Sequence, residues 1–404
     1  MATVSTHGQP VHQGWHVVSD QALATDPDGA RRTWSGGGSV LLAPARRGVH
    51  GDWFRAAIDR LPAAIGRDHL ALFTSGSTGA PRLVIGTRAR TEALARQIHL
   101  GQELDSVERT VSLLPLTYGY AFVNQWVWAH VHERTLVASP GLGDMAATRA
   151  LLHDGPDTMI CLVGPMLALL ARAIDQPLVS VTRVNFAGGP FPWSERELIA
   201  RLFPRARVFA NYGCTEAMPR LTITAAESLR GPRDLGAPVP GVELAVDERG
   251  DLRFRSPYGA VGLLDADGYR EVGADEWLAT SDLAEPDGDR FRLVGRTSEV
   301  YKRYGEKVSV ALQLEAVREV WPGTAAVISE PDPSGEPGHV LVLAPSPEDA
   351  AVRAVLKVFR SRFPCSQWPQ RVDSVDALPL SDNGMPDLAA LAALPRRVHW
   401  KLPL

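Results

Sequence analysis

Between residues 69 and 212 short apolar runs alternate with longer stretches in which apolar side chains recur every three to four positions. The runs are HLALFT, TVSLLP, RTLVAS, TMICLV, RVNFAG and RVFANYG; the periodic stretches include MLALLARAI and SERELIARLF. Continuous apolar runs suit strands buried on both faces, and the longer period suits helices with one buried stripe. Their alternation predicts a mostly parallel sheet covered by helices. From Leu235 the texture changes to VELAVDERGDLRFRS and DRFRLVGR, alternating strands broken by Gly and Pro turns, which predict a β-rich subdomain. After Arg296 a helix (VALQLEAVREV), two strands (TAAVIS, HVLVLA) and a second helix (AAVRAVLKVF) predict a compact α+β unit of about 100 residues. The expected fold class is α/β, with a large N-terminal domain over 1–296 and a small C-terminal domain over 297–404. The first 50 residues, rich in Gly and Pro with few periodic apolar positions, are expected to be irregular or edge structure.

Composition narrows the function classes. At 404 residues the chain exceeds one small core, which agrees with two domains. Forty-two basic against 46 acidic side chains, a formal charge of −4, offer no field for a nucleic-acid backbone. Mean hydropathy is −0.07, and the apolar stretch near Met159–Leu170, interrupted by Gly164 and Pro165, is too short to span a bilayer, so no membrane partner is expected. No basic region followed by an apolar core opens the chain, and Cys161, Cys214 and Cys365 show no CxxC spacing; a cytoplasmic protein without disulfides or zinc is expected. His130 and His132 lack a third ligand in view and are read as structural.

The candidate chemistry starts at FTSGSTGAPR, residues 73–82. This is neither a P-loop nor a dinucleotide fingerprint, because Gly76 and Gly79 are three apart and no Ser or Thr follows Arg82. Two glycines allow close backbone approach, and Thr74, Ser75, Ser77 and Thr78 add hydroxyls, so a phosphate cradle and a solvated polar turn are both open readings. Glu216 and Asp282, acidic residues beside Gly or Ser turns, suit a Mg²⁺ ion and ribose hydroxyls respectively.

TSGSTGAPR resembles the TSGSTGxPK loop of the adenylate-forming superfamily, the acyl-CoA synthetases, peptide-synthetase adenylation domains and luciferases. Three further segments follow in that family's order. NYGCTE (211–216) is similar to its YGxTE, LGAPVPGVELAV (235–246) to its GxPxPG, and TSDLAEPDGDRFRLVGRTSEVYKRYGEKV (280–308) to its TGDL…GRxD…IKxxG stretch. The resemblance implies ATP-dependent activation of a carboxylic acid as an acyl-adenylate, followed by transfer to CoA, a carrier-protein phosphopantetheine or an amine. Thr74, Ser75, Gly76, Ser77, Thr78, Gly79 and Arg82 would close over the phosphates. Tyr212 would stack on the adenine with Asn211 and Gly213 beside it, Thr215 and Glu216 would be catalytic, and Glu216 would hold Mg²⁺. Ala187, Gly188 and Gly189 would flank adenine and acid, while Asp282 and Arg296 would bind ribose. The C-terminal domain would be mobile, rotating about a hinge at Ser298 to bring Lys302 and Lys307 in for the second step.

Two departures qualify this expectation. Where the family reads LPxTxxGKxDR this chain reads LPLSDNGMPDLAAL, so Met385 replaces the lysine that serves adenylation. Lys401, Lys307 or Arg82 would have to substitute, or the chain is a half-reaction or nucleotide-binding member. In addition, only 72 residues precede Phe73, fewer than is usual, which implies a trimmed first subdomain and favours a homodimer. PLTYGYAFVNQWVW matches the wall of the family's acid pocket, with Tyr118 as gate; Cys214 also faces the acid in the family. Gly119 stands where amino-acid-activating members place an Asp, which disfavours α-amino acids. Tyr118, Tyr120, Phe122, Trp126 and Trp128 suit an aromatic acid, although at least two of them should be helix core.

Overall fold

The computed structural model describes residues 10–12, 14–44, 51–74, 82–297, 300–303, 306–332, 337–381 and 385–402, with the backbone alone at 10–12, 51–52, 142, 302 and 306–307. The chain forms two compact units. The first holds residues up to 245 with 253–280 and 288–291; the second holds 246–252, 281–287 and 292–404.

The first unit contains two sheets. A six-stranded sheet has the order Thr222–Ala225, Arg207–Tyr212, Val181–Phe186, Thr158–Leu162, Arg109–Ser112, Thr135–Ala138, parallel throughout except for its first pair. All five residues of Thr158–Leu162 are buried, as a strand covered on both faces requires. Helix Arg88–Gly101, capped by the Thr87 hydroxyl, buries Thr91, Leu94, Ala95 and Ile98 at three- and four-residue spacing. Phe122, Trp126 and Trp128 lie in the same core as Leu94 and Ile98.

The second sheet is mixed and seven-stranded: Pro10–His12, Trp15–Val18, Ser39–Leu42, His69–Thr74, Arg82–Thr87, Gly262–Leu264, Tyr269–Glu271. Here the first fifty residues depart from expectation. Trp15–Val18 and Ser39–Leu42 pair in parallel through helices Asp20–Thr25 and Pro27–Ser35, and Leu41 and Leu42 are fully buried. The glycines and Pro27 punctuate these short elements instead of dissolving them. Ser19 and Asp26 cap the helices by accepting from the Ala22 and Gly29 amides, and Pro27 occupies the first turn, where its missing N–H costs nothing. His69–Thr74 and Arg82–Thr87 are antiparallel and form the two arms of a hairpin.

The second unit begins among the short strands between Glu243 and Arg296. Its C-terminal part has a hairpin, Val300–Arg303 with Glu306–Ser309, and a sheet ordered Thr324–Ser329, His339–Ala344, Arg371–Ser374, Arg397–Lys401. Helices Val310–Arg318 and Asp349–Arg362 contribute Val317, Val355 and Phe359 to its core. Among the described residues no helix is long and apolar enough to cross a membrane.

Candidate active site

In the first unit, Thr74 and Arg82 face each other at the mouth of the hairpin; Ser75, Gly76, Ser77, Thr78 and Gly79 lie outside the described residues. The Arg82 guanidinium lies 3.4 Å from Glu216 Oε1, both side chains being partly exposed. Such a pair contributes only about 0–1 kcal/mol, so its importance lies in where it holds charge. Glu216 sits in the turn Thr215–Ala217, directly after strand Arg207–Tyr212. That turn is closed by the Ala217 amide on the Cys214 carbonyl (3.0 Å) and fixed from outside by the Ala260 amide on the Glu216 carbonyl (2.9 Å). Gly213 is sterically obligatory: a Cβ there would stand 1.9 Å from the Pro219 carbonyl oxygen. Tyr212 and Cys214 pack, partly buried, against the core.

One strand over, Val181–Phe186 runs into Ala187, Gly188 and Gly189. Ala187 is buried and its amide donates to the Leu162 carbonyl, whereas both glycines are exposed. Gly188 has φ +74°, and a Cβ on it would lie 2.8 Å from the Tyr118 hydroxyl, so this turn and Tyr118 are direct neighbours. Asn211 ties the strand ends together. Its Nδ2 reaches Asn185 Oδ1 (3.3 Å) and the Phe186 carbonyl (3.2 Å), while its Oδ1 accepts from Gln102 (3.1 Å). Gly119 is tight against Leu72, whose Cδ1 is 3.1 Å from where a Cβ would stand.

Behind Tyr118 lies a buried polar cluster that sequence reasoning did not single out. Tyr118 meets Tyr120 edge-on, with centroids 6.1 Å apart, and the Tyr120 hydroxyl donates to the Asn185 carbonyl at 2.9 Å. A π-helical segment, Phe122–Val127, buries all six of its residues. Within it, Asn124 donates to Cys161 Sγ (3.3 Å) and accepts from Arg220 Nη2 (2.5 Å). The Arg220 guanidinium lies 5.2 Å from the centroid of the Tyr120 ring. Burial pushes the Cys161 thiol up to about 12 and the Tyr120 phenol well above its usual value, so both are neutral at pH 7. The available signal was Arg220 itself, a single charge inside the apolar run AMPRLTIT.

In the second unit, Asp282 is buried and accepts an ion pair from Nε of the exposed Arg296 at 3.3 Å. Ser281 occupies φ +64°, the left-handed conformation that glycine adopts most readily, at the place where the resembling motif has Gly. Lys302 and Lys307 are Cα partners across the hairpin, and Ser298 lies outside the described residues. The Met385 carbonyl accepts from both the amide and the hydroxyl of Ser381, each at 2.8 Å. Lys401 ends the strand that pairs with Arg371. Among the described residues no group of three or more His, Cys, Asp and Glu is arranged to hold a metal. His132 stacks on His99 at 3.9 Å, and burial first, then His99, pushes it down to about 4.

Known proteins resemble this chain in sequence and in fold. The chain is 29% identical over 349 residues to the nonribosomal peptide synthetase CymA of Salinispora arenicola, a match covering 79% of this chain and 4% of that synthetase. It is 25% identical over 348 residues to the 3-[(3aS,4S,7aS)-7a-methyl-1,5-dioxo-octahydro-1H-inden-4-yl]propanoyl:CoA ligase of Rhodococcus jostii, covering 82% of this chain and 66% of the ligase. The chain thus spans slightly under two thirds of that ligase and a small part of the synthetase. Its fold is similar to that of the anthranilate CoA ligase AuaEII in complex with anthranoyl-AMP, with a TM-score of 0.69, 19% identity, and 88% and 73% of the two chains covered. Residues 13–264, more than half of the chain, match the family described as AMP-binding enzyme. With hairpin, glycine turn and Glu216 turn collected in one unit, this chain belongs to the AMP-binding enzyme family.

Proposed function

We propose that the chain activates a carboxylic acid with ATP and passes the acyl group to a thiol, either CoA or a carrier-protein phosphopantetheine, or to an amine. The observation that carries this reading is the meeting of Arg82, at the mouth of the Thr74–Arg82 hairpin, with Glu216 at 3.4 Å. A carboxylate oxygen attacks the α-phosphorus of ATP and the bond to pyrophosphate breaks; sulfur or nitrogen then attacks the acyl carbon and AMP leaves. Both steps concentrate negative charge, so placed cations and N–H donors are the main resource. Arg82 and the 75–79 loop would serve the phosphates, Tyr212 the adenine, Asp282 and Arg296 the ribose, and Lys302 and Lys307 the transfer step.

Glu216 fits a magnesium site. This ion takes one or two carboxylates and completes its shell with phosphate oxygens and water, and the Arg82 contact engages only Oε1. Bound there, Mg²⁺ would neutralise phosphate charge. The acid is a non-α-amino, aromatic one. Gly119 supplies no carboxylate for an ammonium, and an Asp there would press on Leu72. Tyr118, Ala187 and Cys214 would wall such an acid, and the anthranoyl group held by AuaEII is aromatic.

A second reading rests on Met385. A thioether cannot neutralise a phosphate, and loss of one such donor lowers rate by about 10²–10³. A degenerate or half-reaction member would bind nucleotide or acyl-adenylate and act in binding or acyl transfer. Pyrophosphate exchange with a panel of acids separates the two. Exchange by the wild-type chain supports full activation; exchange that appears only in Met385→Lys overturns it in favour of the second reading.

A further inference from the structure

Arg220 is 1% exposed, yet no Asp or Glu pairs with it among the described residues. Its buried Nε has no hydrogen-bond partner, and the same holds for the Nδ2 of Asn185. The guanidinium has Tyr120, Asn124 and Cys161 around it and Tyr118 beyond, none of them an acid of the Asp or Glu kind, and burial pulls its pKa below the ordinary value. Buried charges are normally paired, because desolvation without a counter-charge is strongly unfavourable. A fully buried cation with a donor unfilled is complementary to an anion, and Tyr120 links it to Asn185, whose amide also has a donor unfilled.

The position of the cluster says which anion. Gly188 touches Tyr118, Tyr118 meets Tyr120, and Tyr120 lies under Arg220. A ligand whose reacting carboxylate lies at the Gly188 turn would bring its far end to Arg220 by displacing the tyrosine rings that separate the two. Of the two rings Tyr118 is half-buried and Tyr120 buried. We infer that Arg220 is a specificity-determining residue, and that the acid activated here is an aromatic one carrying a second carboxylate, which Arg220 pairs with and Asn185 supports. This rests on the acid-activation reading above and names its substrate class.

The test compares acids that differ only in the second carboxylate: cinnamate with 4-carboxycinnamate, and phenylacetate with 4-carboxyphenylacetate. In pyrophosphate exchange the wild-type chain should prefer the diacids by about a hundredfold or more in kcat/KM, because a monoacid leaves the buried donors unfilled. Arg220→Met should bring that ratio near unity. A wild type indifferent to the second carboxylate, or a Met variant that keeps the preference, overturns the inference and leaves acid activation standing. If no acid supports exchange, the activation reading fails, and calorimetry of diacid binding with AMP present decides Arg220 alone. Binding by wild type and not by Arg220→Met supports the inference; equal binding, or none, overturns it. Should the Met variant not fold, Arg220→Lys keeps the charge but loses the planar fork and should cut the diacid preference to about a tenth. An unchanged preference in that variant also overturns the inference.

Discussion

Among the described residues each unit buries one arginine almost completely, and the two are treated in opposite ways. Arg303, 3% exposed in the second unit, donates to Asp332 at 3.2 Å and to the Trp368 carbonyl at 3.0 Å. Arg220, 1% exposed in the first, meets an aromatic face, an asparagine oxygen and a neutral thiol. A paired buried cation fixes structure: Arg303 ties strand Val300–Arg303 to the residues after strand Thr324–Ser329. A buried cation lacking an acid is a cost to the folded chain alone, and is intelligible where a ligand completes it. Burial therefore does not reveal what a charge is for; its partners do.

The largest effect expected from this contrast is in stability. Arg303→Met strands Asp332 without its cation and should lower unfolding free energy by about 3–5 kcal/mol in urea titration. A loss below about 1 kcal/mol would mean that the pair is not structural. Next comes the half-exposed pair of the candidate site, where function and stability should separate. Glu216→Gln should slow pyrophosphate exchange by about 10²–10³ while changing stability by less than about 1 kcal/mol. Comparable losses in both would make Glu216 a folding residue.

Arg220→Met should fall between these in character. Relief of desolvation offsets the hydrogen bond lost from Asn124, so stability should stay within about 1 kcal/mol of wild type. A loss as large as that of Arg303→Met would mean that the two arginines play the same role. The smallest effect is one of pH. Burial first, then the charge of Arg303, pushes His339 down to about 3, and its Nδ1 shares a hydrogen bond with the Tyr301 hydroxyl. A histidine held neutral in the fold stabilises it above the ordinary value of about 6.5, and that contribution is lost as pH falls toward 3. The urea midpoint should thus decline as pH is lowered from 6.5 to 4, about these values. His339→Gln should flatten part of the decline; identical slopes would assign the acid sensitivity to other groups.

Much of this was readable along the chain for local reasons. TMICL is strand Thr158–Leu162 because a strand covered on both faces is uniformly apolar, and Arg88–Gly101 shows its helical spacing directly. The turns of the candidate site were legible through their glycines, since Gly213 and Gly188 stand where a side chain would strike Pro219 or Tyr118. The first fifty residues were not legible. Strands of four residues have too few positions for a period to show, and Ser19 and Asp26 act through caps that look like ordinary loop polarity. The aromatic stretch was legible only in part: three of its rings fill the core, while the adjacent Tyr118 and Tyr120 lead from the Gly188 turn to Arg220.

By itself, the amino-acid order determined the alternation of strand and helix, the family, and the tight glycine turns, because each depends on neighbours a few residues apart or on motifs read as words. Tertiary structure alone decided that Asn124, Cys161 and Arg220 would meet, with Asn185 tied to them through Tyr120, and that no described acid would join them. Those residues come from four separate segments, and a charge's cost depends on every group and every water excluded around it. Such a sum exists only once the chain has folded.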